Sequence, residues 1–354
     1  GGAMPEGRKT IKDVARALGV SAATVSRALA GHARISPETR ARVEQAALEM
    51  GYVPNRAAQS LVAGRSSGFV GLILTDPGYG REASYLGEFV GALGAGLAEY
   101  GIDLFLAAIP EQQSELSVIR NIVGTRRADG LIIARTAEVD PRVALLTAAG
   151  FPFVTHGRTA EGAPQHDWVD TDGATAFAEA FEMLYALGHR RFGLVTIEEP
   201  MTFRMHRTEG LLAAISRRAD PSVHLQLATS PRYDGARRHA AIGAMLSSPE
   251  RPTAVLALTD GLALTVLEEA AALGLSVPDD LSVIGFDNIT SAALARPGLT
   301  TFDAETTRSA RVSAQMLVAR IAARQPPAPL QSLLIRPKLV LRASHGAARP
   351  VPRG

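Results

Sequence analysis

The sequence predicts an α/β chain with a small all-helical head, and three observations carry that prediction. Residues 10–50 hold three short stretches of helical apolar spacing, each bracketed by cap residues. From residue 68 onward, apolar strand-like runs alternate with amphipathic stretches, the pattern of parallel α/β architecture. Charge is also asymmetric: residues 1–65 carry ten Lys/Arg and five Asp/Glu, whereas the remainder carries 27 and 30. A basic head on a mildly acidic body is the electrostatic footprint of a nucleic-acid module. At 354 residues the chain can form two or three domains, each burying its own core.

The head reads element by element. Thr10 caps a helix in which Ile11, Val14, Ala15 and Leu18 share a face, and Gly19 stops it. Ser21 caps a second helix, Ala22 to Leu29, with Val25, Ala28 and Leu29 facing inward. The glycine-containing turn between them has helix-turn-helix spacing. Ser36 caps a third helix with Pro37 at its first position and Glu38 in its first turn; Val43, Ala46, Ala47 and Met50 form its apolar stripe before Gly51. If the second helix enters a major groove, Ala22, Ala23 and Ser26 are small enough to approach base edges, and Arg27 can contact guanine in a bidentate fork. Ser21 and Thr24 would serve phosphates, with Thr10 and Arg34 as flanking candidates. An ordinary helical bundle with a surface arginine satisfies the same spacing.

The next segment, YVPNRAAQSLVAGRSS, contains a helix too brief to be stable alone, running from a cap at Asn55 through Ala58 and Leu61 to Gly64. It should form only against a partner. Leu61 suits a wedge between base steps in a minor groove; a domain linker whose leucine packs on the next domain is the plainer alternative.

In the body, the strand-like runs are FVGLIL (69–74), IDLFLAAI (102–109), DGLIIA (129–134), FPFVTH (151–156), RFGLVTI (191–197), AVLALT (254–259) and LSVIGFD (281–287). Such numbers suggest two doubly wound halves, whose ligands bind beyond the carboxyl ends of the strands. Asp76, His156, Arg158, Thr259, Asp260 and Asp287 follow these runs, although an aspartate after a strand is also an ordinary helix cap. Trp168, Tyr79 or Tyr85 could offer a flat apolar platform, while a lone Trp at a strand edge is more often core.

Other classes fit poorly. Zero cysteines exclude disulfides, thiolate metal sites and cysteine nucleophiles. No apolar run approaches the roughly 20 residues of a membrane span, and Gly1 to Ala3, ahead of Met4, read as a cloning scar with no signal-peptide layout behind it. A cytoplasmic location is expected. Enzyme motifs are weak: GALGAG (91–96) lies within a helical stretch, DTD (170–172) alone makes no metal site, and His189 in LGHRR suits a structural role at a strand entry. No enzyme activity, cofactor or metal is expected.

The segment TIKDVARALGVSAATVSRALAGHARISPETRARVEQAALEMGYVPNRAAQSLVAGRS closely resembles the DNA-binding head and hinge of the lactose repressor/galactose repressor family of transcriptional regulators. Farther along, GHRRFGLVTI, RTEGLLAAI and ALTDGLALTVLEEAAALGLSVPDDLSVIGFDNITSAALARPGLTTF resemble the family's regulatory core, which is similar to periplasmic sugar-binding proteins. The resemblance covers roughly residues 10–342. It implies a helix-turn-helix head at 8–53, a hinge helix and linker at 54–67, and a two-subdomain, periplasmic-binding-protein-like core of doubly wound parallel sheets at 68–342. The expected first subdomain is about 68–188 with 303–324; the second is about 189–302 with 325–342, and 343–354 is expected to be a disordered tail. Implied partners are a pseudo-palindromic operator duplex, a second copy of the chain and a small effector, most simply a sugar.

On this resemblance Ala22, Ala23 and Arg27 take the base-reading positions and Leu61 that of the intercalating hinge leucine. Ala30 departs from the asparagine usual there. Arg207 and Asp287 match effector-bonding positions, with Asp76, Tyr85, Arg158, Asp172, Thr259 and Asp260 completing the expected cleft set. An arginine and an aspartate converging on vicinal hydroxyls are sugar chemistry. Effector binding would alter subdomain rotation and so melt or preserve the hinge helices. Release from the operator by sugar is the expected direction, with corepression by another metabolite as the alternative. The tail ASHGAARPVPRG carries no heptads, so a dimer is expected.

Overall fold

The structure is a computed structural model that describes residues 9–29, 34–52, 66–74, 83–109, 113–160, 162–323 and 329–349. The chain divides into two compact units, one formed by residues up to Gly68 with Arg126–Asp129 and the other by the remainder.

In the first unit, helices α1 (Ile11–Leu18), α2 (Ala22–Leu29) and α3 (Pro37–Glu49) fall where their caps and apolar spacing predict. Thr10 and Asp13 close a reciprocal capping box on α1, and Gly19 ends it in the left-handed conformation that glycine adopts without steric cost. Ser21 Oγ accepts from Thr24 N at 3.0 Å, and Ser36 Oγ from Thr39 N at 3.2 Å, so each following helix has its start satisfied. Val14, Ala15, Val25, Ala28 and Val43 form the small shared core.

The second unit contains two parallel sheets. The first has the order β11-β5-β4-β3-β1-β2, from β1 (Phe69–Leu74), β2 (Asp103–Ala108), β3 (Gly130–Ala134), β4 (Phe153–His156), β5 (Asp167–Thr171) and β11 (Ser332–Ile335). Helices α4 (Ala83–Ala98), α5 (Glu115–Gly124), α6 (Pro141–Ala148) and α12 (Thr306–Ala322) accompany it, and Phe89, Leu93 and Leu97 of α4 meet Ala310, Ala314 and Leu317 of α12 in one core with Val70, Ile132 and Val154. The second sheet has the order β7-β6-β8-β9, from β6 (Arg191–Ile197), β7 (His224–Ser230), β8 (Ala254–Ala257) and β9 (Ser282–Ile284). Its helices are α7 (Gly173–Ala186), α8 (Thr202–Arg218), α9 (Gly235–Ser247), α10 (Asp260–Ala272) and the short α11 (Thr290–Leu294), and β10 (Thr301–Asp303) pairs antiparallel with β12 (Lys338–Val340).

Three expected boundaries move. The first crossover lies near 172 rather than 188, because Phe177, Phe181 and Leu184 of α7 pack into the second core with Phe192 and Leu211. The last crossover lies between β11 and β12 rather than near 324: β11 pairs parallel to β5 and buries Ile335 in the first core before the chain crosses. Finally, the tail is ordered through residue 349. Ser344 is fully buried, its carbonyl accepts from Val283 N at 2.7 Å, and Gly346 O accepts from His189 Nε2 at 2.9 Å, so the segment covers the β9 side of the second sheet.

Candidate functional site

On the head, α2 is amphipathic in the sense a groove-reading helix requires. Val25 and Ala28 are buried, Ser21, Ala23 and Arg27 are exposed, and Ala22, Thr24 and Ser26 are half-buried along its flanks. The Thr10 hydroxyl donates to Asp13 Oδ2 at 2.7 Å, and the Ser21 and Thr24 hydroxyls are 2.9 Å apart; Thr10 and Arg34 are exposed. Asn55, Ala58 and Leu61, expected in the hinge, lie outside the described residues, as do Ala30, Tyr79 and Asp76.

In the second unit the carboxyl ends of both sheets face one cleft, as the doubly wound arrangement dictates. From the first subdomain, β3 delivers Thr136, β4 His156, β5 Asp170, and α4 Tyr85 and Phe89; from the second come Thr202, Phe203 and Arg207 on α8, Arg232 after β7, and Phe286 and Asp287 after β9. They surround a cavity of about 110 Å³. The two sides also meet along a backbone clasp: Thr202 N donates to Thr136 O and Glu138 N to Pro200 O, both at 3.0 Å, and the Thr136 and Thr202 hydroxyls are 2.8 Å apart.

Arg207 is the centre of this cavity. Its guanidinium carbon lies 3.6 Å from the centroid of the Phe286 ring and 5.0 Å from that of Phe203, while Nη1 donates to the Leu258 carbonyl. Among the described residues, its buried Nε has no hydrogen-bond partner. Gly173 makes room for it, since a Cβ at that position would sit 2.7 Å from Arg207 Cγ. Burial pulls the guanidinium pKa down against the attraction of Asp287 and Asp170. Asp287 has φ of +116°, a conformation unusual for a non-glycine residue, and its N–H donates to Phe302 O at 2.9 Å.

Across the cavity, Tyr85 Oη and His156 Nε2 are hydrogen-bonded, and the Phe89 ring lies 4.4 Å from the imidazole. Burial pushes the Tyr85 phenol well above its usual range and lowers His156 to about 4, opposed in the latter by Asp170. Both are therefore neutral near pH 7. Guanidinium donors, carboxylate acceptors and aromatic walls are the chemistry that holds a polyhydroxylated ligand.

Of the expected cleft residues, Tyr85, Arg207, Thr259 and Asp287 line the cavity. Three corrections follow from the geometry. Asp172 caps α7, accepting from Thr175 N at 3.0 Å and from its hydroxyl at 2.7 Å. Asp260 is fully buried, with Oδ2 accepting from Ile289 N at 2.9 Å and Oδ1 from the Thr301 hydroxyl at 2.5 Å. The Arg158 side chain is committed to Asp170, Nε to Oδ2 at 2.8 Å, and stands outside the cavity lining. Trp168 also stands outside it, half-buried on β5, so the aromatic surface comes from Tyr85, Phe203 and Phe286 instead. Sequence reasoning passed over Asp170, Phe203, Phe286 and Arg232. Phe203 and Arg207 are four apart on α8 and could have been paired by helical spacing; Asp170 belongs to the same DTD tripeptide as Asp172.

Comparison with known proteins agrees with both parts of the chain. Residues 10–55 match the model for bacterial regulatory proteins of the lacI family, and residues 181–345 match a periplasmic binding protein-like domain. The chain is 34% identical over 353 residues to the HTH-type transcriptional regulator AglR of Rhizobium meliloti (strain 1021), covering 96% of this chain and 94% of that one. It is 32% identical to the HTH-type transcriptional regulator CelR of Thermobifida fusca, covering 89% and 92%. Among solved structures, a complex of the transcriptional regulator CelR with cellobiose superposes with a TM-score of 0.69 at 28% identity, covering 95% of this chain and 100% of that one. A lac repressor dimer superposes with a TM-score of 0.81 at 23% identity, over 96% and 99%, a likeness of fold.

Proposed function

The chain belongs to the lacI family of bacterial regulatory proteins and is a DNA-binding transcriptional regulator rather than an enzyme; from that premise we propose that it is a repressor released from its operator by a small sugar bound in the cleft. The observation that carries the sugar assignment is Arg207, stacked on Phe286 with a buried, unpartnered Nε among the described residues, in a cavity that Asp170 and Asp287 also line. A guanidinium fork opposed by carboxylates recognises vicinal hydroxyls, and the flat rings accept the C–H face of a pyranose. The relative complexed with cellobiose supports the same ligand class.

The protein works as a homodimer on a pseudo-palindromic duplex, in the cytoplasm, with α2 in the major groove; the lac repressor neighbour is a dimer bound to operator. Among the described residues no helix is long and apolar enough to cross a membrane. Fluorescence anisotropy on a labelled duplex taken from the DNA upstream of its gene, with and without a panel of sugars, tests this function. Tight salt-dependent binding that one sugar weakens is expected. Binding that every sugar leaves unchanged would reject the effector assignment, and tightening by a ligand would make it a corepressor.

A further inference from the structure

We propose that the ligand spans two sugar rings, the second held in an adjoining cavity against Tyr233; this rests on the sugar assignment above. That second cavity, of about 280 Å³, shares Arg135 and Arg232 with the wall of the first. The inner cavity alone falls below the roughly 300–1,000 Å³ usual for ligand pockets, and the two together reach it. Tyr233 lines the outer cavity with 58% of its surface exposed, an aromatic ring in a concavity rather than in a core.

The surroundings of that ring suit a pyranose. Arg135 Nη1 donates to Tyr233 Oη at 3.3 Å, orienting the phenol. The Arg232 guanidinium lies 5.5 Å from the Tyr233 ring and 5.7 Å from that of Phe203, so one arginine stands between the aromatic wall of each cavity. Its backbone is fixed by Glu199, whose carboxylate oxygens accept from Arg232 N at 2.9 and 3.1 Å. An exposed aromatic face flanked by guanidinium and carboxylate groups offers stacking for one sugar face and hydrogen bonds for its hydroxyls. Arg135 and Ala137 come from the first subdomain, Met201, Arg232 and Tyr233 from the second, and all line the outer cavity. A second ring there adds contacts to both subdomains, so a two-ring ligand gains more differential affinity for the arrangement that brings them together than the inner ring alone.

Calorimetric titration of the full chain with glucose, galactose, maltose, cellobiose, melibiose and sucrose tests the proposal. At least one disaccharide is expected to bind about tenfold or more tightly than its component monosaccharides. Tyr233→Ala should remove that margin while leaving monosaccharide affinity within about twofold, and Tyr233→Phe, which keeps the ring, should retain it. The proposal is overturned if monosaccharides bind as tightly as every disaccharide, or if Tyr233→Ala weakens both alike; in either case the sugar-responsive function stands. Failure of all six sugars to bind would overturn both.

Discussion

Arg207 combines what a ligand-reading residue needs: burial, a ring beneath its plane and a carbonyl that fixes one arm of the fork. Arg207→Lys keeps the charge and loses the plane and the fork. Sugar affinity should fall about tenfold or more, measured by calorimetry, with sugar-free operator binding intact; unchanged affinity would remove Arg207 from ligand contact. His156 invites a different measurement. Its folded pKa of about 4 lies below the ordinary value of 6.5, so the stability it contributes is present above pH 6.5 and is lost as pH falls toward 4. Asp260 has the opposite sign: burial raises it to about 6, so its contribution is full below pH 3.8 and lost as pH rises through 6. The two windows overlap, and global acid titration would partly hide both. Imidazole proton shifts followed by NMR should give His156 a midpoint near 4; a midpoint above 6 would mean that the ring is hydrated.

At the scale of elements, α7 and α8 approach so closely at Gly210 that an added Cβ would meet the backbone oxygen of Ala174 at 2.1 Å. Alanine normally favours a helix over glycine by about 1 kcal/mol, yet here the obstacle is backbone and cannot rotate away. Gly210→Ala should therefore destabilise by about 1–3 kcal/mol in urea unfolding; a stabilised variant would show that the helices separate freely. On α2, Arg27 is exposed beside small neighbours. Arg27→Ala should flatten discrimination at one base pair per half-site by about 1–3 kcal/mol, read from a set of substituted operators. Equal losses on every sequence would assign Arg27 to phosphate instead. Elements also differ in how legible they are. The head helices begin at their expected caps and match the expected spans, whereas β5, β7, β10, β11 and β12 are missed: β7 and β11 are edge strands, β7 with polar alternation, HLQLATS, β5 reads DWVDT with three polar residues in five, and β10 and β12 are three residues long.

For the whole molecule, regulation requires that ligand affinity differ between two arrangements of the core, and that the hinge feel the difference. The clasp at Thr136, Glu138, Pro200 and Thr202 joins the two subdomains beside the cavity, and a ligand touching both subdomains favours the arrangement in which its contacts are made. A saturating sugar at about 100 times its Kd should stabilise the core by about 2.7 kcal/mol, visible as a rise in melting temperature. Leu61→Gly, in the expected hinge, should weaken specific operator binding far more than non-specific binding; equal losses would reject the wedge role.

Local order was written in the sequence by itself. Caps, apolar periods and strand-like runs fixed the three-helix head and the alternating α/β body, because each depends on residues within a turn or two of one another. The motif resemblance added the family. Only the tertiary structure decided where the chain crosses between subdomains, since β11 joins the first sheet by pairing with β5 across more than a hundred residues. The same holds for the site. Asp170 and Asp172 are near neighbours in sequence with similar surroundings, yet one faces the cleft and the other caps a helix. Which carboxylate faces the cavity depends on the partners that long-range packing brings to it, Arg158 for Asp170 and the start of α7 for Asp172, and sequence spacing does not encode those partners.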